Sequence, residues 1–365
     1  MNASSRIPPL LQPYTKLPRN ESLLLLTSTL GASANWLLIR FLCDALNSST
    51  SDGGADEAHN VVLASWMRDY DFWRQEARKG AGLDLERLKR EKRFAFVDGL
   101  SGLVMGEQPQ VQPQSQPVPP RPQQPQTPAP GIEQRPGPTL PVRGPPGRIV
   151  PSRGPPAPAQ PARPAPPSTT TSTPTPAPAP STAPGHFTLT SLSPAHLETV
   201  ISSAVSSLTT TSSSPRKTLL ILDTPDLALA LSSSPPSAFT RLLLQLHTLP
   251  SVSHVLTHLH ADTALVSESA PAQPLEIAQY NFVAKVAHMS ARILGTRVLD
   301  TGVARDVSGV LRVTEQRLGW ADLGLQDEGE GRGEDEEKGK GREFLYRVKG
   351  DGSVKVFERG AGGDA

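Results

Sequence analysis

The stretch LLLLTSTLGASANWLL, residues 23–38, joins a continuous apolar run to a glycine turn and the start of an amphipathic helix. Residues 23–29 read as a buried strand, too short for a helix and bounded by Gly31. Ala34, Leu37, Leu38, Phe41, Leu42 and Ala45 then recur at three- and four-residue steps, the stripe of a helix that Ser33 is placed to cap. Strand, glycine turn and helix is the order of a phosphate-binding loop. Such a loop wraps phosphate oxygens with backbone N–H groups, reaches the outer phosphates with a lysine and holds magnesium with the next Ser or Thr. Starting the frame at Ser28 or Thr29 puts Ala34 or Asn35 at the lysine position and Asn35 or Trp36 after it. Gly31, Ser33, Ala34 and Asn35 therefore mark a degenerate nucleotide loop. A helix N-terminus still favours an anion, so weak phosphate contact stays open, but ATP hydrolysis by this loop is not expected.

Working outward, VVLAS (61–65) and FAFVDGL (94–100) read as further strands. Between them lies a helix capped by Asp69 and ended by Gly80 and Gly82, then a shorter one bearing Leu85 and Leu88. A helix over 193–208, the strand TLLILD (218–223), a helix over 238–249 and the strand HVLTHL (254–259) continue the alternation. A helical stripe through Leu275, Ala278, Phe282, Val286, Met289 and Ile293 follows. Strands without polar alternation are buried on both faces, as in a parallel sheet covered by helices. The C-terminal end changes character: TRVLDTG, VSGVLRVTEQ, EFLYRVKG and GSVKVFERG read as antiparallel strands, with KGDGS as a turn. The expected fold is α/β, with a mainly parallel central sheet flanked by helices and antiparallel strands at the C-terminal end.

Of the 39 prolines, 27 lie between Gly106 and Gly185, where no aromatic residue occurs. Residues 106–185 cannot bury enough apolar surface to offset the entropy of ordering and are expected to be a disordered insert. Residues 23–105 and 186–358 are expected to complete one domain, after an N-terminal extension (1–22) and before a disordered tail (359–365). QDEGEGRGEDEEKGKGRE (326–343) reads as a charged, glycine-rich surface loop. Net charge is +1, so any nucleic-acid contact needs a local patch. A single cysteine, Cys43, excludes an intrachain disulfide and fits a reduced, intracellular setting. The N-terminus lacks the pattern of a signal peptide. The apolar run from Leu23, interrupted by polar residues and Arg40, is too short for a membrane span.

Three groups of residues invite a chemical reading. Asp223 closes TLLILD, and Asp98 closes FAFVD, where a magnesium-binding carboxylate would stand; an Asp there also serves as a turn former or cap. His258, His260 and Asp262 in VLTHLHAD follow the H-x-H-x-D spacing of metallo-β-lactamase-type hydrolases, but Thr263 stands where that pattern continues with histidine. Lys285, His288 and Arg292 form a basic strip at helical spacing, suited to RNA phosphates or to plain solvation. Phe72 and Trp73, beside Arg74, are candidates for a subunit interface. No Ser-His-Asp or Cys-His arrangement is indicated by local sequence, so no catalytic residue, metal or cofactor is assigned.

LGASANWLL, SWMRDYDFW, GLDL and RFAFVDGLSGL, followed by LLILDTPDLAL and RVLDTGVARDVSGVLRVT, resemble subunit 6 of the Elongator complex. The resemblance spans about residues 23–105 and 186–358, and the proline-rich insert outside it suggests a fungal-type extension. It implies a RecA-like ATPase fold without an intact nucleotide site. It also implies a hetero-hexameric ring with subunits 4 and 5, which joins the remaining Elongator subunits, contacts tRNA and supports carbonylmethyl-type modification of wobble uridines. A non-catalytic protein of the cytoplasm, and also of the nucleus, follows from it. The alternatives are an ATPase using Asp223 and a metallohydrolase using His258, His260 and Asp262.

Overall fold

The computed structural model describes residues 7–47, 58–105, 184–209, 216–267, 271, 273–302, 304–315 and 341–359. All of them belong to one compact unit, residues 1–109 with 180–365. The bulk of the 106–185 insert and of the 326–343 loop, and the 359–365 tail beyond its first residue, lie outside the described residues.

Among the described residues ten strands form one sheet, in the order β10-β9-β8-β7-β1-β6-β5-β2-β3-β4. The leucine run is β1 (Ser22–Ser28), paired in parallel with β6 (Val252–His260) on one side and β7 (Ser290–Arg297) on the other. β5 (Thr218–Asp223), β2 (Asn60–Ser65), β3 (Phe94–Asp98) and the short β4 (His186–Thr188) extend the parallel part. β8 (Gly309–Glu315), β9 (Arg342–Val348) and β10 (Val354–Glu358) add antiparallel pairs beyond β7. This is the α/β arrangement expected from the sequence: mainly parallel, flanked by helices, with antiparallel strands at the C-terminal end.

The unbroken apolar strands have a direct cause. Leu24 and Leu26 of β1, with Leu219 and Ile221 of β5, pack on one side of the sheet, against α2 (Asn35–Asn47), α3 (Tyr70–Ala81) and α4 (Leu85–Arg90). Leu23, Leu25, Leu220 and Leu222 pack on the other side, against α6 (Pro194–Thr209), α7 (Pro225–Leu231), α8 (Pro236–His247) and α10 (Pro274–Met289). Neither face of these strands meets water. On α3, Asp69 caps as expected by accepting the Phe72 N–H at 2.8 Å, and Gly82, at φ 67°, ends the helix, whereas Gly80, also expected to end it, lies inside it.

Ahead of β1, a 3₁₀ turn (Pro9–Leu11) and α1 (Gln12–Thr15) bury Leu11, Tyr14 and Thr15. Between β3 and β4 comes α5 (Ser101–Met105), and between β6 and α10 the single turn α9 (Thr263–Val266).

Two expectations are corrected here. The stripe drawn through Ile293 overruns α10, which ends at Met289; Ser290 turns extended and residues 290–297 form β7. β7 is moreover parallel to β1, and the antiparallel pairs begin only with β8, so most of TRVLDTG is a loop rather than an antiparallel strand.

The connections place the functional region. β1 leads into α2 on one face of the sheet, whereas its neighbour β6 leads through α9 into α10 on the opposite face. Adjacent parallel strands whose connections leave to opposite faces open a crevice at their carboxyl ends, the usual ligand position in such sheets. The carboxyl ends of β1, β6 and β5 carry Ser28, His258 and His260, and Asp223.

Candidate functional site

At that switch point the chain has filled the crevice with its own polar side chains. The Ser28 hydroxyl stands 2.8 Å from Nε2 of His258, and Nδ1 of His258 stands 2.8 Å from Oδ1 of Asp223. The other carboxylate oxygen of Asp223 accepts the Ser65 hydroxyl at 2.7 Å, and Ser65 Oγ accepts the Arg68 N–H at 3.2 Å. Four strands, β1, β6, β5 and β2, are thereby cross-linked by one hydrogen-bonded chain. Ser28, His258 and Asp223 are 4%, 3% and 1% exposed.

This is a Ser–His–Asp relay, which local sequence did not indicate because its members are more than thirty residues apart. Its distances are those of a hydrolytic triad, but its setting is not. None of the surface clefts of about 640, 520 and 190 Å³ is lined by any of the three residues. The N–H of Leu30, on the turn that leaves Ser28, is taken by Oδ1 of Asp262 at 2.5 Å, so it is not offered to an oxyanion.

The same contact decides the reading of the degenerate loop. Thr29 N–H donates to the Thr296 carbonyl, Ala32 N–H to the Thr29 carbonyl and Leu30 N–H to Asp262. Gly31, at φ 85°, supplies the turn that only glycine adopts freely. Ser33, expected to cap α2, stands one residue outside the cap position, which the fully buried Ala34 takes, and its Oγ accepts the Asn35 N–H at 3.3 Å. The turn is closed by its own backbone and by a carboxylate. Asp262 puts negative charge where a phosphate would have to come, a repulsion added to the missing lysine.

A second polar cluster lies beside the first. Oδ2 of Asp226 accepts the His260 backbone N–H at 2.9 Å, stands 3.0 Å from His260 Nδ1 and accepts Gln279 Nε2–H at 3.2 Å. The hydrogen bond to Asp226 raises the His260 pKa; burial opposes this, and the charges of Asp226, Asp262 and Asp223 add to it. The linkage is stabilising while His260 is protonated and fades as pH rises through its folded-state value. Thr224, which turns β5 into α7, sits at φ 60° and ψ 49°, a left-handed conformation costly for a β-branched residue. It holds Asp223 and Asp226 three residues apart at the end of β5, one aimed at each histidine.

The metal-ligand reading of VLTHLHAD is corrected by these partners. His258 spends both ring nitrogens on Ser28 and Asp223, His260 turns to Asp226, and Asp262 serves Leu30. Among the described residues no group of three His, Cys, Asp or Glu is arranged to hold a metal ion. Asp223 is equally unsuited to a magnesium ion, with each oxygen already engaged inside the sheet. Asp98 closes the turn into α5 by accepting the N–H groups of Leu100 and Ser101 at 2.9 and 2.8 Å and the Ser101 hydroxyl at 2.7 Å.

The remaining candidates divide. Lys285 and His288 are exposed on α10, but Arg292 lies on β7, buried, giving hydrogen bonds to the carbonyls of Tyr14 and Lys16 and an ion pair to Glu315 at 2.7 Å. It anchors the N-terminal segment and is withdrawn as an RNA contact. Trp73 is fully buried in the core and is withdrawn as an interface residue; Phe72 is half-buried, with the Arg68 guanidinium 4.5 Å above its ring. No described helix is long and apolar enough to cross a membrane.

No known protein family matches the chain by sequence profile, and no curated protein sequence matches it. Many solved structures resemble it, two of them over nearly its whole length. One is a KaiC-like protein from the hyperthermophilic archaeon Pyrococcus horikoshii, 10% identical, with a TM-score of 0.44 and 97% of each chain covered. The other is an uncharacterized protein from the same organism in complex with an unknown peptide, also 10% identical, with a TM-score of 0.48, covering 97% of this chain and 98% of that one. At such values neither likeness carries a statement about activity or partners.

Proposed function

We propose that this chain is a non-catalytic subunit of the Elongator complex, built into a hetero-hexameric ring with subunits 4 and 5. The ring binds tRNA and supports carbonylmethyl-type modification of wobble uridines, in the cytoplasm and also in the nucleus. The reading rests on the ordered sequence resemblance from LGASANWLL to RVLDTGVARDVSGVLRVT. The structural observation that supports it is the closed loop at β1, where Asp262 occupies the Leu30 N–H and Asp223 is sealed under Ser65 and His258. A RecA-like crevice filled by its own side chains suits a scaffold and not a nucleotide enzyme. Lys285 and His288 on α10 are the candidate tRNA contacts that remain exposed.

Cells lacking this chain are expected to lose carbonylmethyl-type groups from tRNA wobble uridines, read by mass spectrometry of the nucleosides. Re-expression of an Asp223→Asn variant, altered in the residue an ATPase would need, is expected to restore them. Unchanged nucleosides in the deletion would overturn the assignment to Elongator. Failure of the variant to restore them, at equal protein level, would overturn the non-catalytic reading.

A further inference from the structure

A cleft of about 640 Å³ opens between the β1–α2 turn, the segment between β7 and β8, and the β9–β10 turn. It lies outside the polar relay described above. Val298, Leu299, Val307 and Val348 contribute aliphatic walls, and Arg305, Arg347 and Lys349 contribute positive charge. Arg347 pairs with the exposed Asp306 at 2.7 Å, an arrangement that solvent and competing carboxylates readily exchange. Arg305 and Lys349 are exposed and make no ion pair among the described residues.

Three features choose the occupant. The apolar surface reaches from the cleft to its rim: Val298 and Val348, which line it, are 45% and 37% exposed, and Leu30 beside it is 87% exposed. Leu30 adjoins Gly31, where an added Cβ would lie 3.1 Å from Val298 Cγ1, so these groups border one opening. A small ligand filling the cleft would leave that rim in water, whereas a chain crossing it would cover both. Among the described residues no aromatic side chain lines the cleft, so they offer no platform on which a nucleic-acid base would stack. The cations select against a basic or neutral segment, and an arginine fork matches a carboxylate in two hydrogen bonds.

We infer that this cleft docks an extended protein segment in which acidic residues alternate with aliphatic ones. Aliphatic side chains enter between Val298, Leu299, Val307 and Val348, while carboxylates meet Arg305, Arg347 and Lys349. The surface stands whether or not the chain belongs to a ring, because it is argued from the cleft alone.

The test uses the full chain and a labelled peptide, Glu-Leu-Glu-Val-Glu-Leu, followed by fluorescence anisotropy. Saturable binding at one site is expected, weakened by added salt. The Arg305→Glu/Lys349→Glu variant should weaken it by about tenfold or more, since rim charges govern this encounter. An Arg216→Glu/Arg241→Glu control makes the same charge change ahead of β5 and on α8 and should stay within about twofold, the range of remote surface charges. The same peptide with lysine for glutamate should not bind. Absence of saturable binding, or equal loss in the control, would overturn the proposal. Binding of a short oligouridylate that is lost in the Arg305→Glu/Lys349→Glu variant, with the acidic peptide unaffected, would assign the cleft to nucleic acid instead.

Discussion

Asp223→Ala is expected to destabilise the protein by about 3–5 kcal/mol, close to the whole stability of many domains. The substitution removes one acceptor from each of two buried groups, Nδ1 of His258 and the Ser65 hydroxyl. Leaving a buried polar group without its partner costs about 1–3 kcal/mol per group, and the cavity left by the carboxylate adds to it. Asp223→Asn keeps an acceptor for His258 and a polar group against Ser65, so about 1–2 kcal/mol is expected. Urea unfolding of both variants measures this. The opposite pattern separates a structural carboxylate from a functional one: residues held in place for catalysis are often stabilising to remove. A wild-type-like or higher midpoint for Asp223→Ala would show that the relay is not structural.

Acidification should cost a similar amount through a different histidine. His254, at the start of β6, lies 2.9 Å from Ser253 Oγ through Nδ1 and 3.0 Å from the Pro18 carbonyl through Nε2. A carbonyl only accepts, so Nε2 carries the proton and Nδ1 accepts from Ser253. Burial, with the neighbouring His59, pushes its pKa from 6.5 down to about 4. The unfolded chain therefore takes up a proton near pH 6.5 that the folded chain refuses until about pH 4. Stability contributed by neutral His254 is complete above pH 6.5 and is lost as pH falls towards 4, in total by about 3 kcal/mol. His260 acts in the opposite direction, since its pKa is raised. Urea unfolding at pH 7 and pH 4.5, compared between wild type and His254→Gln, isolates the effect. The variant should lose less stability on acidification; parallel losses would remove His254 as the cause.

How much of this was legible in the sequence depends on whether the determining contacts are local. The leucines of β1 and β5 announce burial on two sides because four consecutive residues of each strand are apolar, and Asp69 and Gly82 mark the ends of α3 by chemistry confined to a few residues. Trp73 was legible too: with Ala77 and Ala81 it falls on one helical stripe, the signal of a core anchor, although its aromatic and charged neighbours suggested an interface. Arg292 was misread because Ile293 lies four residues after Met289, in register with the α10 stripe, and no glycine or proline marks the break. The relay was beyond reach for a different reason. Asp223, His258 and Ser28 each stood out or lay nearby, but their meeting follows from the sheet order β1-β6-β5, which brings Asp223 opposite His258 and His260 opposite Ser28. Strand order is set by crossovers and by packing on both faces, which no local spacing encodes. The short α7 and the three-residue β4 were missed because each is too brief to show a period.

The proposed role is that of a ring subunit with its crevice closed. Native mass spectrometry of the chain co-expressed with Elongator subunits 4 and 5 tests it most directly. A single hetero-hexamer holding the three chains in equal numbers is expected. A monomer of this chain beside a complex formed by the other two would contradict it.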